Sequence, residues 1–183
     1  MRVIYGIFKG FKLNKPKNRN IRPTTDKVKE AIFDSIQFDI VGKTFLDLFS
    51  GSGQMGIEAL SRGAKFVTFV DESLDSIKLL KSNLSKLGSF VDSKYSIVNN
   101  DALSFLKLNN INFNFVFMDP PYSKELLPEL ISKISDFIHL DGTLICEHRS
   151  KILLPDVIKD LAVFKYKRYG TVAVTFYKKL VKT

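Results

Sequence analysis

Asp47-Leu48-Phe49-Ser50-Gly51-Ser52-Gly53-Gln54-Met55-Gly56 follows a short apolar run that starts at Thr44 and leads into a helix-like run. Glycines let a backbone turn sharply and approach a ligand without intervening side chains, with helix amides close by. A loop of this kind at the carboxyl end of a strand is where open α/β sheets bind ligands. Gly51, Gly53 and Gly56 also satisfy the dinucleotide spacing G-x-G-x-x-G, with Asp71 following Gly51 by 20 residues, near the ribose-binding position. On this segment alone, three readings stand: an S-adenosylmethionine loop, a nicotinamide or flavin loop, and a structural turn. The mid-chain position of the strand favours the first. So does Asp47, whose carboxylate can help hold a cationic aminoacyl group.

Outward from this loop, strand-like runs at 44–49, 66–71, 95–99, 113–119 and 143–147 read as buried strands. Helical stripes separate them: Leu74, Ile77, Leu80, Leu84 and Leu87, then Leu126, Leu127, Leu130, Ile131, Ile134, Phe137 and Ile138. A further helix is predicted at 152–161. Two strand-like runs, 163–169 and 171–177, then meet at Gly170 as a terminal β-hairpin. Alternation of this kind predicts an α/β fold with a mainly parallel sheet. Its count matches the Rossmann-like, seven-stranded sheet of a class I methyltransferase, whose last strand inserts antiparallel. Ahead of this core, 3–13 predicts a β-hairpin and 25–36 a helix with Val28, Ala31, Ile32 and Ile36 on one face. The reading is therefore one domain, 1–183, in which 1–37 form an N-terminal extension.

Composition narrows the function classes. Hydrophobic residues make up 45% and charged residues 26%, values of a folded globular chain. No apolar run exceeds four residues, against the roughly 20 of a membrane-spanning helix, so a cytoplasmic protein is expected. The single cysteine, Cys146, cannot form an intrachain disulfide, and His139 and His148 sit in no ligand cluster, so no structural metal is expected. Lys and Arg outnumber Asp and Glu by 28 to 19, a balance suited to polyanions and also one that an AT-rich genome produces.

Asp119-Pro120-Pro121-Tyr122 follows the strand-like run and is the most informative feature for chemistry. Two prolines fix the backbone and donate no amide hydrogens, which leaves nearby carbonyls as acceptors. An exocyclic amine is a poor nucleophile because its lone pair is delocalised into the ring. Acceptors on both N–H bonds, the Asp119 carboxylate and a Pro120 carbonyl, orient the nitrogen and draw its lone pair toward a sulfonium methyl. Tyr122 is placed to stack on the base. Orientation alone removes much of the entropic barrier, up to about 7–11 kcal/mol in well-aligned reactions, so no strong general base is required. The glycine loop after a first strand and this tetrapeptide after a fourth together point to an amine methyltransferase. Phe49, Ser50, Gly51, Ser52 and Gly53 then border the cofactor. Asp71 takes its ribose, the alternative being a solvated carboxylate at a strand end, and Asp101 with Ala102 receives its adenine, although Asp101 can equally cap the next helix.

Over nearly its full length the chain resembles the RsmD-type family of 16S ribosomal RNA methyltransferases. The resemblance rests on Arg22-Pro23-Thr24-Thr25-Asp26-Lys27-Val28-Lys29-Glu30, on Phe49 to Gly53 with Gly56-Ile57-Glu58-Ala59-Leu60-Ser61-Arg62-Gly63-Ala64, and on Asp119 to Tyr122. The first of these is the specific one, since many methyltransferases share the other two. Where the family prefers Ala after Phe49, this chain has Ser50. The resemblance implies transfer to the N2 amine of a guanine in 16S ribosomal RNA, free or in a partly assembled small subunit; separately, a monomer is expected. It suits a phosphate-contacting role for Lys9, Lys12, Lys15, Lys17, Arg19 and Arg22, with Phe8 and Phe11 interleaved. Alternatively these lysines are a solvated face and the aromatics pack inward.

Thr25 is expected at the mouth of the cofactor and RNA cleft, and Glu147 is placed to line the substrate pocket. His148 reads as a strand-end residue and Cys146 as core. A DNA adenine or protein glutamine methyltransferase is the nearest rival. Only about one hairpin remains after the core for DNA recognition, and the glutamine enzymes usually have Asn at the position of Asp119. A non-catalytic RNA-binding assembly module is the rival from a different class.

Overall fold

The computed structural model describes residues 1–16, 24–108, 110–121 and 127–180. Lys17, Arg19, Arg22 and Tyr122 lie outside the described residues. The elements run α1 (Asp26–Asp34), β1 (Thr44–Leu48), α2 (Gln54–Ser61), β2 (Phe66–Asp71), α3 (Leu74–Ser85), β3 (Tyr95–Asn99), α4 (Ala102–Leu108), β4 (Phe113–Met118), α5 (Leu127–Ile134), β5 (Ile138–Arg149), β6 (Val157–Ile158), β7 (Leu161–Tyr169) and β8 (Val172–Lys179). They form one sheet in the order β3-β2-β1-β4-β5-β8-β7-β6. The pairings among β1 to β5 are parallel, whereas β8 inserts antiparallel between β5 and β7. This is the predicted mainly parallel sheet with its antiparallel terminal hairpin, extended to eight strands by β6.

Alternation along the strands divides the core in two. Phe45, Phe69, Phe115, Phe117, Ile145 and Phe176 face α1, α2 and α3, packing with Ile32, Ile57 and Leu80. Their sequence neighbours Leu46, Val70, Val116, Met118, Leu144 and Tyr177 face α4 and α5, packing with Phe105, Leu130 and Ile131. Strands covered on both sides read as continuous apolar runs, which is why they were visible in the sequence.

Four expectations are corrected. Residues 152–161 form no helix. Pro155 removes an amide donor and disfavours helical backbone at Leu154, and its carbonyl instead accepts from the Tyr177 hydroxyl at 2.7 Å. Lys159, at φ 58°, then turns β6 back onto β7. The stripe reaching Ile138 overshoots, because α5 ends at Ile134 and, after a 3-10 turn over Ser135–Phe137, Ile138 already belongs to β5. β3 is a half-exposed edge strand, not a buried one.

The fourth correction concerns the N-terminus. In place of a β-hairpin, residues 3–13 form a looped segment closed by a single bridge between Arg2 and Lys12. Val3 and Leu13 still donate across the segment, to the Phe11 and Met1 carbonyls, but four amides between them are bound to α2. Ile4 and Tyr5 donate to the Glu58 carboxylate at 2.8 and 3.0 Å, Ile7 donates to the Ser61 carbonyl at 2.9 Å, and Phe8 donates to Ser61 Oγ at 3.0 Å. Glu58 is fully buried and also pairs with Lys29 of α1 and Arg62. Lys29 in turn donates to the Arg2 carbonyl. Burial lowers the Lys29 pKa, and the nearby Glu58 carboxylate opposes that shift.

Candidate active site

Asp47, Asp119 and Glu147 continue the sheet face of Phe45, Phe117 and Ile145 respectively. The parallel register sets Asp47 beside Phe117 and Met118 beside Cys146, so Asp119 and Glu147 come level at the carboxyl ends of β4 and β5. Three acidic residues thus stand on one face, at the ends of three adjacent strands. Asp47 and Asp119 open onto a cleft with Thr24, Ser50, Gly51 and Gln54.

Asp47 is only 1% exposed, and its Oδ2 accepts from the Gly56 amide at 2.8 Å, tying the first turn of α2 to β1. Burial pushes its carboxyl up to about 8, with Asp71 and Asp119 adding to the shift against the Gly56 bond. Burial likewise pushes Asp119 up to about 7, helped by the charge of Glu147. Ser50 Oγ and Gln54 Oε1, both buried beside the loop, find no hydrogen-bond partner among the described residues. Buried polar groups are normally paired, and clustered carboxylates favour a cation. A ligand carrying positive charge and several hydrogen-bonding groups therefore fits this end of the cleft.

Asp71 ends β2 and fastens the loop: its Oδ2 accepts from the Gly51 amide at 2.7 Å and its Oδ1 from the Ser73 amide at 2.9 Å. Gly51 and Gly53 adopt φ of 52° and 77°, and Phe49 takes the left-handed region at 69°. Such backbone in a bulky residue is strained and clusters at ligand sites. Phe49 borders both the cleft and a smaller hollow formed by Asp71, Glu72, Asn100, Asp101 and Ala102. Asp101 Oδ1 accepts from the Ser104 amide at 3.0 Å. The Ser104 hydroxyl first, and then that amide, hold its carboxyl below the usual range. Asp101 thus caps α4 while still facing the hollow.

Pro120 is half-buried beside Asp119, and Pro121 is exposed. His148 and Cys146 lie on the opposite sheet face. His148 Nε2 is 2.8 Å from Thr175 Oγ1, and burial holds the imidazole pKa down. Burial pushes the Cys146 thiol up. Neither joins the acidic cluster.

Thr25 is exposed and accepts from the Val28 amide at 3.4 Å as the cap of α1. Its neighbour Thr24 is the one that enters the cleft, and its hydroxyl donates to Glu147 Oε2 at 2.8 Å. Asn83, fully buried on α3, was missed as well. Its Nδ2 donates to the Ser52 carbonyl at 2.9 Å and its Oδ1 accepts from the Asn14 amide at 2.7 Å, joining the glycine loop to the N-terminal segment. A polar residue set into the apolar stripe between Leu80 and Leu87 was the available signal. Lys9, Lys12 and Lys15 are exposed, Phe8 is buried and Phe11 is partly exposed.

A family model described as "Conserved hypothetical protein 95" matches residues 1–178. A candidate rRNA methyltransferase of Bacillus subtilis, YlbH, is 40% identical over 98% of this chain and 99% of its own length. The ribosomal RNA small subunit methyltransferase D of Escherichia coli is 34% identical over 98% of this chain and 90% of its own. Among solved structures, the candidate methyltransferase yhhF from Escherichia coli superposes with a TM-score of 0.88 at 32% identity, covering 100% of this chain and 99% of that one.

Proposed function

Because the chain belongs to the conserved hypothetical protein 95 family, the RsmD family of ribosomal RNA methyltransferases, we propose that it methylates the exocyclic N2 amine of a guanine in 16S ribosomal RNA. S-adenosylmethionine supplies the electrophilic methyl on its sulfonium when bound. The observation that carries the reading is Asp119 at the carboxyl end of β4, sharing a cleft with Asp47, Phe49, Ser50, Gly51 and Ser52.

Asp47, with Phe49 to Gly53, is suited to the aminoacyl end of the cofactor, where an ammonium group would relieve the cost of burying that carboxylate. Asp71 is suited to the ribose, and Asp101 with Ala102 to the adenine end. Asp119 and a Pro120 carbonyl accept the two N–H bonds of the guanine amine. Accepting both holds the nitrogen lone pair along the line of attack, and after nitrogen has become cationic its proton passes to Asp119 or to water. Tyr122, next in the motif, stacks on the base. Exposed Lys9, Lys12 and Lys15, with Lys17, Arg19, Arg22 and Thr25 in the same N-terminal region, contact RNA phosphates. The protein works as a cytoplasmic monomer on RNA of the small subunit.

Asp119→Ala tests the assignment. Transfer should fall by about a thousandfold or more, as loss of an orienting group in a preorganised site does, while S-adenosylmethionine affinity measured by calorimetry stays within a few-fold. Loss of affinity with retained turnover would place Asp119 in cofactor binding instead.

A further inference from the structure

The mechanism above gives Asp119 the amine but leaves unexplained why a second carboxylate is kept buried beside it. Glu147 is 6% exposed, level with Asp119 in the register of β4 and β5, and on the same sheet face. Thr24, which lines the cleft, donates to Glu147 Oε2 at 2.8 Å and so fixes the carboxylate relative to the site. An ionised carboxylate offers about four acceptor positions, so it can accept from Thr24 and from other donors at once. Side by side and both deprotonated, a state that donors on a bound base favour, the two acids form an edge of acceptors. Guanine presents a matching edge of donors, N1–H beside the N2 amine, whereas adenine and 2-aminopurine have an unprotonated N1 that only accepts.

We propose that Glu147, positioned by Thr24, accepts the N1–H of the target base and makes the enzyme specific for guanine over purines whose N1 lacks a hydrogen. The inference rests on the guanine-N2 reading given above and adds a second recognition point to it. It also gives the Thr24 position in the Arg22 to Glu30 segment a part in base choice: Thr24 orients the specificity residue, while Thr25 closes the helix.

The test uses the full-length enzyme and small-subunit RNA carrying either guanine or 2-aminopurine at the methylated position. Both bases have an N2 amine, and only guanine has N1–H. The wild-type enzyme should favour guanine by about tenfold or more in kcat/KM, the scale of a buried acceptor left facing an acceptor. Glu147→Gln keeps the shape of the side chain and adds a donor, so it should lower transfer to guanine and bring the two substrates within about threefold of each other. Thr24→Val should weaken the preference and Thr24→Ser should retain it. Unchanged S-adenosylmethionine affinity certifies that each variant is folded. Equal losses on both bases in Glu147→Gln, with the preference intact, would overturn the proposal and leave Glu147 a packing residue. No N2-methylguanine from the wild-type enzyme would instead remove the underlying guanine reading, and this inference with it.

Discussion

Asp47 shows how a residue can be tuned by what surrounds it. Its carboxyl stands at about 8 in the fold against 3.8 when exposed, because burial and neighbouring acids disfavour the charge. A carboxyl raised on folding contributes stability that is fully present below its unfolded value and is lost as pH rises through the folded value. Thermal melts of the protein without cofactor should therefore show stability falling between about pH 4 and pH 8, by on the order of a few kcal/mol. S-adenosylmethionine should offset the loss most at pH 8. An Asp47→Asn variant with the same pH slope would contradict this origin. Asp47, Asp71 and Asp119 were legible in the sequence because each ends a strand next to a recognisable loop. The pair Lys29–Glu58 and the bond Thr24–Glu147 were not legible. Each joins residues from segments far apart in the chain, and only tertiary packing reveals that Lys29 is fully buried.

At the scale of elements, β1, β2 and β4 were readable almost to the residue, since strands of a parallel sheet carry near-continuous apolar runs. Where an element draws its hydrogen bonds from a distant partner, pattern alone failed. The N-terminal segment resembles a hairpin in sequence but spends four amides, those of Ile4, Tyr5, Ile7 and Phe8, on Glu58 and Ser61 of α2. Gly6 sits at that junction with φ +87°, and a Cβ there would lie 1.8 Å from the Ser61 carbonyl oxygen. Gly10 in the same segment has a similar φ of +84° with open space around it. Gly6→Ala should therefore cost at least about 2 kcal/mol and lower Tm by about 4–8 °C. Gly10→Ala should cost only the backbone strain, about 1 kcal/mol. Equal losses in differential scanning calorimetry would mean that the segment does not dock on α2 as described. Asn83 carries the same docking to the glycine loop through Ser52.

Across the whole molecule, the net charge of +9 contrasts with an acidic cluster at the heart of the cleft. That division suits a protein whose surface meets a polyanion and whose pocket holds a cationic group. If Lys9 and Lys12 contact phosphates, Lys9→Glu with Lys12→Glu should reduce the slope of log affinity for RNA against log salt by about 2, one for each contact. S-adenosylmethionine affinity should not change. An unaltered slope would return these lysines to a solvated face. The central claim is more direct: a methyl group is placed on the N2 amine of a small-subunit guanine, through Asp119. The measurement that tests it is transfer from radiolabelled S-adenosylmethionine to small-subunit particles and naked RNA from a strain lacking this protein, followed by nucleoside analysis. The account predicts label in N2-methylguanosine with the wild-type enzyme and none with Asp119→Ala. Label in any other nucleoside, or equal label with Asp119→Ala, would contradict it.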